Sequence, residues 1–178
     1  GGDTVKSRKL VINVALTGEG RRRGFVTRQG ARPGDKIFVT GPLGGAVKTG
    51  RHLRFAPRLN EARFLVKHFK PSAMIDISDG LLADLGLILK ASRAGARLFK
   101  EDIPVRAGAS LAQALAEGED YELLFTLPAE EAEELLKTQP LSVSIKRIGK
   151  IIAGKELAII HPDGRREPLK PAGWEHTT

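Results

Sequence analysis

The chain has 178 residues, enough for one domain with a substantial core, and its 41% hydrophobic and 28% charged residues are typical of a globular protein. It contains no cysteine, which excludes disulfides, thiolate zinc sites and cysteine nucleophiles. The formal net charge of +8 favours an anionic partner, but an aromatic content of 5% is low for a surface that stacks single-stranded nucleic acid. Nucleic acid and phosphorylated metabolites are both candidate partners, and we expect most of this charge to be solvated surface.

No apolar run is long enough to span a bilayer, since the best candidate, residues 81–89, is interrupted by Asp84. The first ten residues are polar and basic and do not resemble a signal peptide. We expect a cytoplasmic protein without a membrane partner. The chain opens on Gly-Gly-Asp-Thr instead of Met, so we expect it to be a fragment or a processed chain.

The predicted elements alternate between strands and helices. Apolar and β-branched runs predict strands at residues 10–16, 35–40, 73–77, 96–99, 121–127, 142–148 and 157–161, and residues 25–28 fit a short strand. Helical periodicity predicts helices at residues 57–69, 81–94, 109–116 and 128–137, the second ended by Gly95, and the residues after 164 read as a tail. This order predicts an α/β or α+β fold.

Several familiar catalytic patterns are absent. Lys48-Thr49 resembles the end of a phosphate-binding loop, but Val47 stands where that loop requires glycine. The four histidines show no metal-ligand spacing, and there is no Gly-x-Ser-x-Gly sequence.

The most informative motif is MIDISDGL at residues 74–81. Asp76 falls inside a predicted apolar strand, where an ionised carboxylate costs several kcal/mol unless a cation or hydrogen-bond donors compensate it. Ser78 and Asp79 fall at the start of the next helix, whose N–H groups could bind a phosphate. Two carboxylates and a hydroxyl here suit a Mg²⁺–phosphate site. The alternative is that Ser78 or Asp79 is an ordinary helix N-cap, which leaves Asp76 unexplained.

Four weaker signals have ordinary structural alternatives. The adjacent acids Glu119 and Asp120 could bind a cation or lie on a solvated loop, and Gly2-Asp3 could approach a phosphate and its metal or form a simple turn. Arg28 could reach a nucleotide phosphate or be a surface arginine. Trp174 could stack on an aromatic ligand or fasten the C-terminus.

In this order, the segments GGDT (1–4), RQGARPGDKIFVTGPLGG (28–45), AMIDISDGLLADL (73–85), EGEDYELLFTLP (117–128) and GWEH (173–176) resemble thiamine-monophosphate kinases of the aminoimidazole-ribonucleotide synthetase-like superfamily. The resemblance implies transfer of the ATP γ-phosphate to thiamine monophosphate by a cytoplasmic, Mg²⁺-dependent homodimer. It also implies that residues 25–178 form a three-layer α/β/α C-terminal domain. Residues 1–24 would be the end of an N-terminal ATP-binding domain.

The same resemblance implies three groups of site residues. The nucleotide contacts are Gly2, Asp3, Arg28 and Ser78. The metal ligands are Asp3, Asp76 and Asp79, of which Asp76 and Asp79 are also the catalytic pair. The substrate contacts are Glu119, Asp120 and Trp174, and an acid beside an aromatic ring suits the cationic ring of thiamine.

Two alternatives remain open at this point. The chain could be a superfamily relative that acts on another substrate, or a non-catalytic module that binds anions or nucleic acid through its positive charge. Because the family's N-terminal half is absent from the sequence, we expect weak or no kinase activity from this chain alone.

Overall fold

The computed structural model describes residues 14, 15, 17, 25–171 and 173. Seven strands and four α-helices lie within these residues. The strands are β1 (Lys36–Thr40), β2 (Ala73–Asp76), β3 (Gly95–Phe99), β4 (Leu123–Leu127), β5 (Ile145–Ile152), β6 (Leu157–Ile160) and β7 (Arg166–Pro168). The α-helices are α1 (Leu59–His68), α2 (Leu81–Ser92), α3 (Leu111–Ala116) and α4 (Ala129–Thr138), with short 3₁₀ turns at Arg51–Leu53 and Lys100–Asp102.

The strands form one mixed sheet in the order β2-β4-β1-β5-β3-β6-β7. Every neighbouring pair is antiparallel except β3 and β6. In the middle of the sheet Phe38 of β1 lies opposite Phe125 of β4, and their rings stack with centroids 5.3 Å apart. β2, which leads into the MIDISDGL motif, is an edge strand paired only with β4 among the described strands.

Alternating side chains of the sheet enter two separate hydrophobic clusters. Ile37 and Val39 belong to a cluster that includes most of the apolar face of α2, whereas Phe38, between them, belongs to a second cluster. The second cluster takes Leu65 from α1 and Leu135 from α4. Since successive side chains of a strand point to opposite faces, helices cover both faces of the sheet. The predicted three-layer α/β arrangement is confirmed.

Two local predictions before β3 differ from the structure. Residues 25–28 do not form a strand, although the carbonyl of Thr27 accepts a hydrogen bond from the N–H of Met74 at 3.1 Å. Gly95 does not end α2: Arg93 ends it in the left-handed conformation with φ 54°, and Gly95 begins β3. A Cβ atom at Gly95 would collide with the backbone of Glu156, so this position requires glycine.

β7 lies in the segment predicted as a tail, and all three of its residues are exposed, so no burial pattern marks it in the sequence. The strand predicted at residues 10–16 lies mostly outside the described residues. No helix in the described part of the chain is both long and apolar enough to cross a membrane.

Candidate functional site

The MIDISDGL motif forms the connection between the end of β2 and the start of α2. Asp76 is the last residue of β2 and its side chain is exposed, whereas Asp79 is half-buried. Within the described residues, neither carboxylate accepts a hydrogen bond or joins an ion pair. The expectation that Asp76 is buried inside the strand is therefore wrong: the strand ends there and presents the carboxylate to solvent.

The start of α2 is capped by neither of the residues considered for that role. Gly80 is the N-cap residue and has no side chain to offer. Instead Oδ2 of Asp84, on the first turn of the helix, accepts hydrogen bonds from three backbone N–H groups, those of Ser78, Asp79 and Gly80, at 3.0, 3.1 and 3.2 Å. This leaves the side chains of Ser78 and Asp79 available to a ligand. It also occupies N–H groups that were expected to meet a phosphate.

Asp84 is almost fully buried, with a relative exposure of 1%. Burial raises the pKa of its carboxyl group to about 6, opposed by the three N–H donors and reinforced by the negative charge of Asp79. In the sequence, Asp84 was noted only as an interruption of an apolar run. A carboxylate on the buried face of an otherwise apolar helix was the available signal, because it must find hydrogen-bond donors.

One cavity, of about 560 Å³, unites most of the predicted nucleotide and metal residues. Arg28, Asp76, Ser78 and Asp79 all line it, together with Asp84. The Arg28 side chain is exposed and forms no ion pair with any described residue. We call this space the Arg28 cavity.

A second cavity, of about 570 Å³, lies against the first because Ser78 and Asp79 line both. Its other walls include Glu119, His52 and Gly173. We call it the Glu119 cavity. The two cavities bring Arg28 and Glu119, which are 91 positions apart in sequence, to opposite sides of one serine–aspartate pair.

The loop that carries Glu119 is held against the MIDISDGL motif by its backbone. The N–H of Glu119 donates to the carbonyl of Ser78, and the N–H of Tyr121 donates to the carbonyl of Ile77, both at 2.8 Å. Glu119 and Tyr121 adopt left-handed φ angles of 68° and 52°, which are strained for residues other than glycine. This loop conformation sets Glu119 beside Asp79.

Tyr121 connects the acidic groups of the site. Its hydroxyl donates to Oε2 of Glu119 at 3.0 Å, and its ring stacks on Phe55 with centroids 4.1 Å apart. Burial, the hydrogen bond to Glu119 and the charges of Glu119, Asp76 and Asp79 raise the pKa of the Tyr121 hydroxyl. Three carboxylates therefore act on one phenol, a concentration of negative charge that suits a cation.

The neighbouring acids of the same loop face inward. Asp120 is fully buried and accepts hydrogen bonds from the N–H of Gly44 at 2.7 Å and from Arg106 at 2.9 Å. Burial raises the pKa of its carboxyl group in spite of these donors. The prediction that Asp120 contacts the substrate conflicts with this geometry, because its carboxylate holds two distant loops together instead of lining either cavity.

Glu122 was not predicted as a functional or structural residue, yet it is the most heavily bonded acid described. Its carboxylate accepts four hydrogen bonds: one from Arg51, two of 2.7 and 2.9 Å from Arg58, and one of 2.7 Å from Thr40. The hydrogen bond to Glu122 raises the pKa of Arg58. Nothing local marks this role, since Thr40 and Arg58 precede Glu122 by 82 and 64 positions.

Asp76 and Asp79 fit a Mg²⁺ ion as part of its ligand set. Mg²⁺ takes oxygen ligands and is usually held by one or two carboxylates, with substrate phosphates and water completing the shell. Two carboxylates without partners among the described residues, at the wall of a cavity that Arg28 also lines, meet that requirement. Across residues 14, 15, 17, 25–171 and 173, no group of three or more histidine, cysteine, aspartate or glutamate side chains forms a complete metal site.

Three predicted site residues, Gly2, Asp3 and Trp174, lie outside the described residues. Gly173, which precedes Trp174, lines the Glu119 cavity and packs so closely on α2 that a Cβ atom there would collide with the carbonyl of Asp79 and the side chain of Ala83. The last described residue, Gly173, therefore lies at the wall of the Glu119 cavity.

Comparison with known proteins gives a consistent result. A thiamine-monophosphate kinase from Rhodopirellula baltica is 37% identical over 159 residues, which cover 84% of this chain and 50% of that protein. The structure of AaThiL complexed with AMPPCP and TMP superposes with a TM-score of 0.69 at 29% identity, covering 86% of this chain and 54% of that one. The structure of E. coli HypE, a hydrogenase maturation protein, superposes with a TM-score of 0.68 at 19% identity and shares the fold.

This chain thus spans about half the length of the relatives it matches. The resemblance to thiamine-monophosphate kinases is confirmed as a similarity over most of the chain. The family model for the AIR synthase related protein, C-terminal domain, matches residues 32–162, which is most of the chain. The chain therefore belongs to the AIR synthase related family, whose C-terminal domain it contains.

Proposed function

We propose that the chain is the C-terminal part of a thiamine-monophosphate kinase, which transfers the γ-phosphate of ATP to thiamine monophosphate. Relatives with this activity in their names are 30–37% identical to it. AaThiL has been captured with AMPPCP, an analogue of ATP, and TMP, or thiamine monophosphate. These similarities favour this substrate pair over that of HypE, which shares only 19% of its residues with this chain.

The observation that carries the proposal is the pair of adjoining cavities that share Ser78 and Asp79. Each has a volume in the range that small ligands occupy in proteins. We assign the ATP phosphates to the Arg28 cavity, whose arginine can neutralise phosphate charge. We assign thiamine monophosphate to the Glu119 cavity, whose carboxylate can face the cationic thiazolium ring.

Phosphoryl transfer needs alignment and charge neutralisation more than covalent catalysis. Asp76 and Asp79 would hold Mg²⁺, which when bound neutralises the charge that develops on the transferring phosphate. Arg28 would bind the nucleotide phosphates from the other wall of the cavity. Ser78, between the two cavities, is suited to orient the phosphate that moves from one to the other.

The loop residues contribute by fixing Glu119. The hydroxyl of Tyr121 donates to its carboxylate and limits its rotation, and the backbone N–H of Glu119 is bonded to Ser78. Positioning of this kind lowers the entropy lost when substrate binds. Trp174 follows Gly173 directly in sequence, so we keep it as a predicted contact for the thiamine rings.

The wider assignments are part of the same proposal. We expect a domain boundary near residue 24, since the family match begins at residue 32. We also expect a cytoplasmic homodimer in the complete enzyme, with further metal ligands, among them Asp3, from the part of the protein before residue 25. For this reason we expect little activity from the chain alone.

The test is thiamine-monophosphate-dependent formation of ADP. The chain should be assayed alone and fused to the part of the Aquifex aeolicus kinase that it does not match. We expect activity from the fusion with MgCl₂ and none with EDTA. A panel of other phosphate acceptors should give no ADP.

Two double variants of the fusion sharpen the assay. Asp76→Asn with Asp79→Asn should reduce kcat/KM on the order of 10³-fold, because two ligands of a charge-neutralising ion are lost. Asp102→Asn with Asp163→Asn removes the same charge from two exposed aspartates away from both cavities and should leave the rate unchanged. A folded fusion that forms no ADP with thiamine monophosphate, or that prefers another acceptor, would contradict the proposal.

A further inference from the structure

The far end of α2 carries a second pair of cavities that the proposed kinase site does not use. The first, of about 520 Å³, lies between the last two turns of α2, the turn that leads into β6 and the segment after β7. The second, of about 680 Å³, lies between the same end of α2 and residues 29–32. Lys90 and Arg93 line both, so the two cavities adjoin.

The charged residues that the structure places around these cavities are all positive. Lys90, Arg93, Lys155 and Lys170 line the first cavity and Arg32 lines the second, and no described aspartate or glutamate lines either. All four cations of the first cavity are exposed, and none joins an ion pair with a residue that the structure describes. The neighbouring acid Glu156 pairs elsewhere, with Arg97 at 3.6 Å and Arg166 at 2.9 Å.

The C-terminus of α2 explains the position of only two of the four cations around the first cavity. Positive side chains near a helix C-terminus are favoured by the unpaired carbonyl groups there, which explains Lys90 and Arg93. Lys155 and Lys170 belong to two other segments and gain nothing from that end of the helix. Their presence around the same cavity adds to its positive potential, which attracts an anion.

The floor of the first cavity is apolar. Leu89, Leu157 and Leu169 line it beneath the charged rim, and Leu89 and Leu157 belong to the core cluster, which fixes their positions. A concave space of this size with an apolar floor and a few charged groups is typical of a small-molecule site. Among its described lining residues there is no aromatic side chain on which a nucleic acid base could stack.

We propose that this cavity, which we call the Lys155 cavity, binds a small organic phosphate whose anionic group meets the four cations and whose apolar part rests on the three leucines. This site shares no residue with the Arg28 and Glu119 cavities. This proposal can therefore be tested independently of the proposed kinase activity.

The test is isothermal titration of the chain with 1-naphthyl phosphate in EDTA, so that no metal-dependent site can respond. We expect one saturable site, and on the order of tenfold weaker binding of inorganic phosphate, which cannot use the leucine floor. Lys90→Ala with Lys155→Ala should weaken the binding of 1-naphthyl phosphate at least tenfold.

The matched control is Lys67→Ala with Lys137→Ala, two exposed lysines on α1 and α4, which pack against the other face of the sheet. Each double variant lowers the formal net charge by two, from +8 to +6. We expect the control to bind like the original chain, and circular dichroism to show both variants folded. No saturable binding, or equal weakening in both variants, would overturn the proposal. So would tight binding of single-stranded RNA without binding of 1-naphthyl phosphate.

Discussion

Two acidic segments of this molecule divide their carboxylates in the same way, but their buried acids are bonded to partners at different distances along the chain. The first runs from Asp76 to Asp84 and the second from Glu119 to Glu122. In each segment, some carboxylates are exposed or half-buried and line a cavity, whereas others are buried and accept hydrogen bonds. The first segment presents Asp76 and Asp79, and buries Asp84.

The second segment presents Glu119 and buries Asp120 and Glu122. These two acids are held by arginines and a backbone N–H group from other parts of the chain, whereas Asp84 is held by N–H groups four to six positions before it, so the charge of each is already compensated. A carboxylate without such a partner keeps its charge for a ligand. The hydrogen-bond and ion-pair partners of a carboxylate, more than the acidic residue itself, therefore decide whether it stabilises the fold or remains available to a ligand. Each acid can be tested separately by the change in the free energy of unfolding that its substitution causes.

The largest loss of stability is expected for Glu122→Gln. The change leaves Arg51 without a counter-charge and Arg58 with Glu61 alone, at 3.8 Å. Removing one partner of a buried pair costs about 3–5 kcal/mol. Urea unfolding followed by circular dichroism measures it. Glu133→Gln is the matched control, since Glu133 pairs with Arg147 at 3.1 Å on the surface and should cost less than about 1 kcal/mol. Equal losses would break the distinction between buried and exposed acids.

Asp120→Asn is expected to have the next largest effect. The amide cannot match a carboxylate that accepts from both Arg106 and the N–H of Gly44, and we expect a loss of about 1–3 kcal/mol. Asp163→Asn, at an exposed turn, should change the free energy of unfolding by less than about 0.5 kcal/mol. If Asp120→Asn left the free energy of unfolding unchanged but abolished binding of thiamine monophosphate, Asp120 would be a substrate contact and not a structural acid.

These partners explain what the sequence could and could not predict. Local patterns predicted the helices and most strands to within a few residues, because periodicity and turn residues act over short distances. Two sequence motifs predicted site roles for Arg28, Asp76, Ser78 and Asp79, and one cavity unites these four residues. The burial of Asp120 and Glu122 depends on residues 76 and 64 positions away, and no local pattern records that pairing.

Asp84 gives a smaller effect that depends on pH. Its pKa is about 6 in the folded chain against 3.8 for an ordinary aspartate, so the folded state binds a proton more readily than the unfolded state. Stability attributable to this group therefore rises as pH falls from 7.5 towards 5. Compared with Asp84→Asn, the original chain should gain at most about 1 kcal/mol over that interval, measured by urea unfolding in EDTA. A constant difference between the two proteins would show that Asp84 titrates near its ordinary pKa.

The smallest effect on stability is expected at the pair that matters most for chemistry. Asp76→Asn with Asp79→Asn removes no described hydrogen bond or ion pair of either carboxylate, and it relieves repulsion among Asp79, Asp84 and the other acids of the site. The free energy of unfolding in EDTA should stay within about 0.5 kcal/mol of the original value or rise slightly. In MgCl₂ with AMPPCP, only the original chain should gain thermal stability, because ligand binding to the folded state raises its melting temperature. If the double variant instead lost more than about 1 kcal/mol in EDTA, Asp76 and Asp79 would be structural acids like Glu122, and the cavity-lining acids would no longer differ in kind from the buried ones.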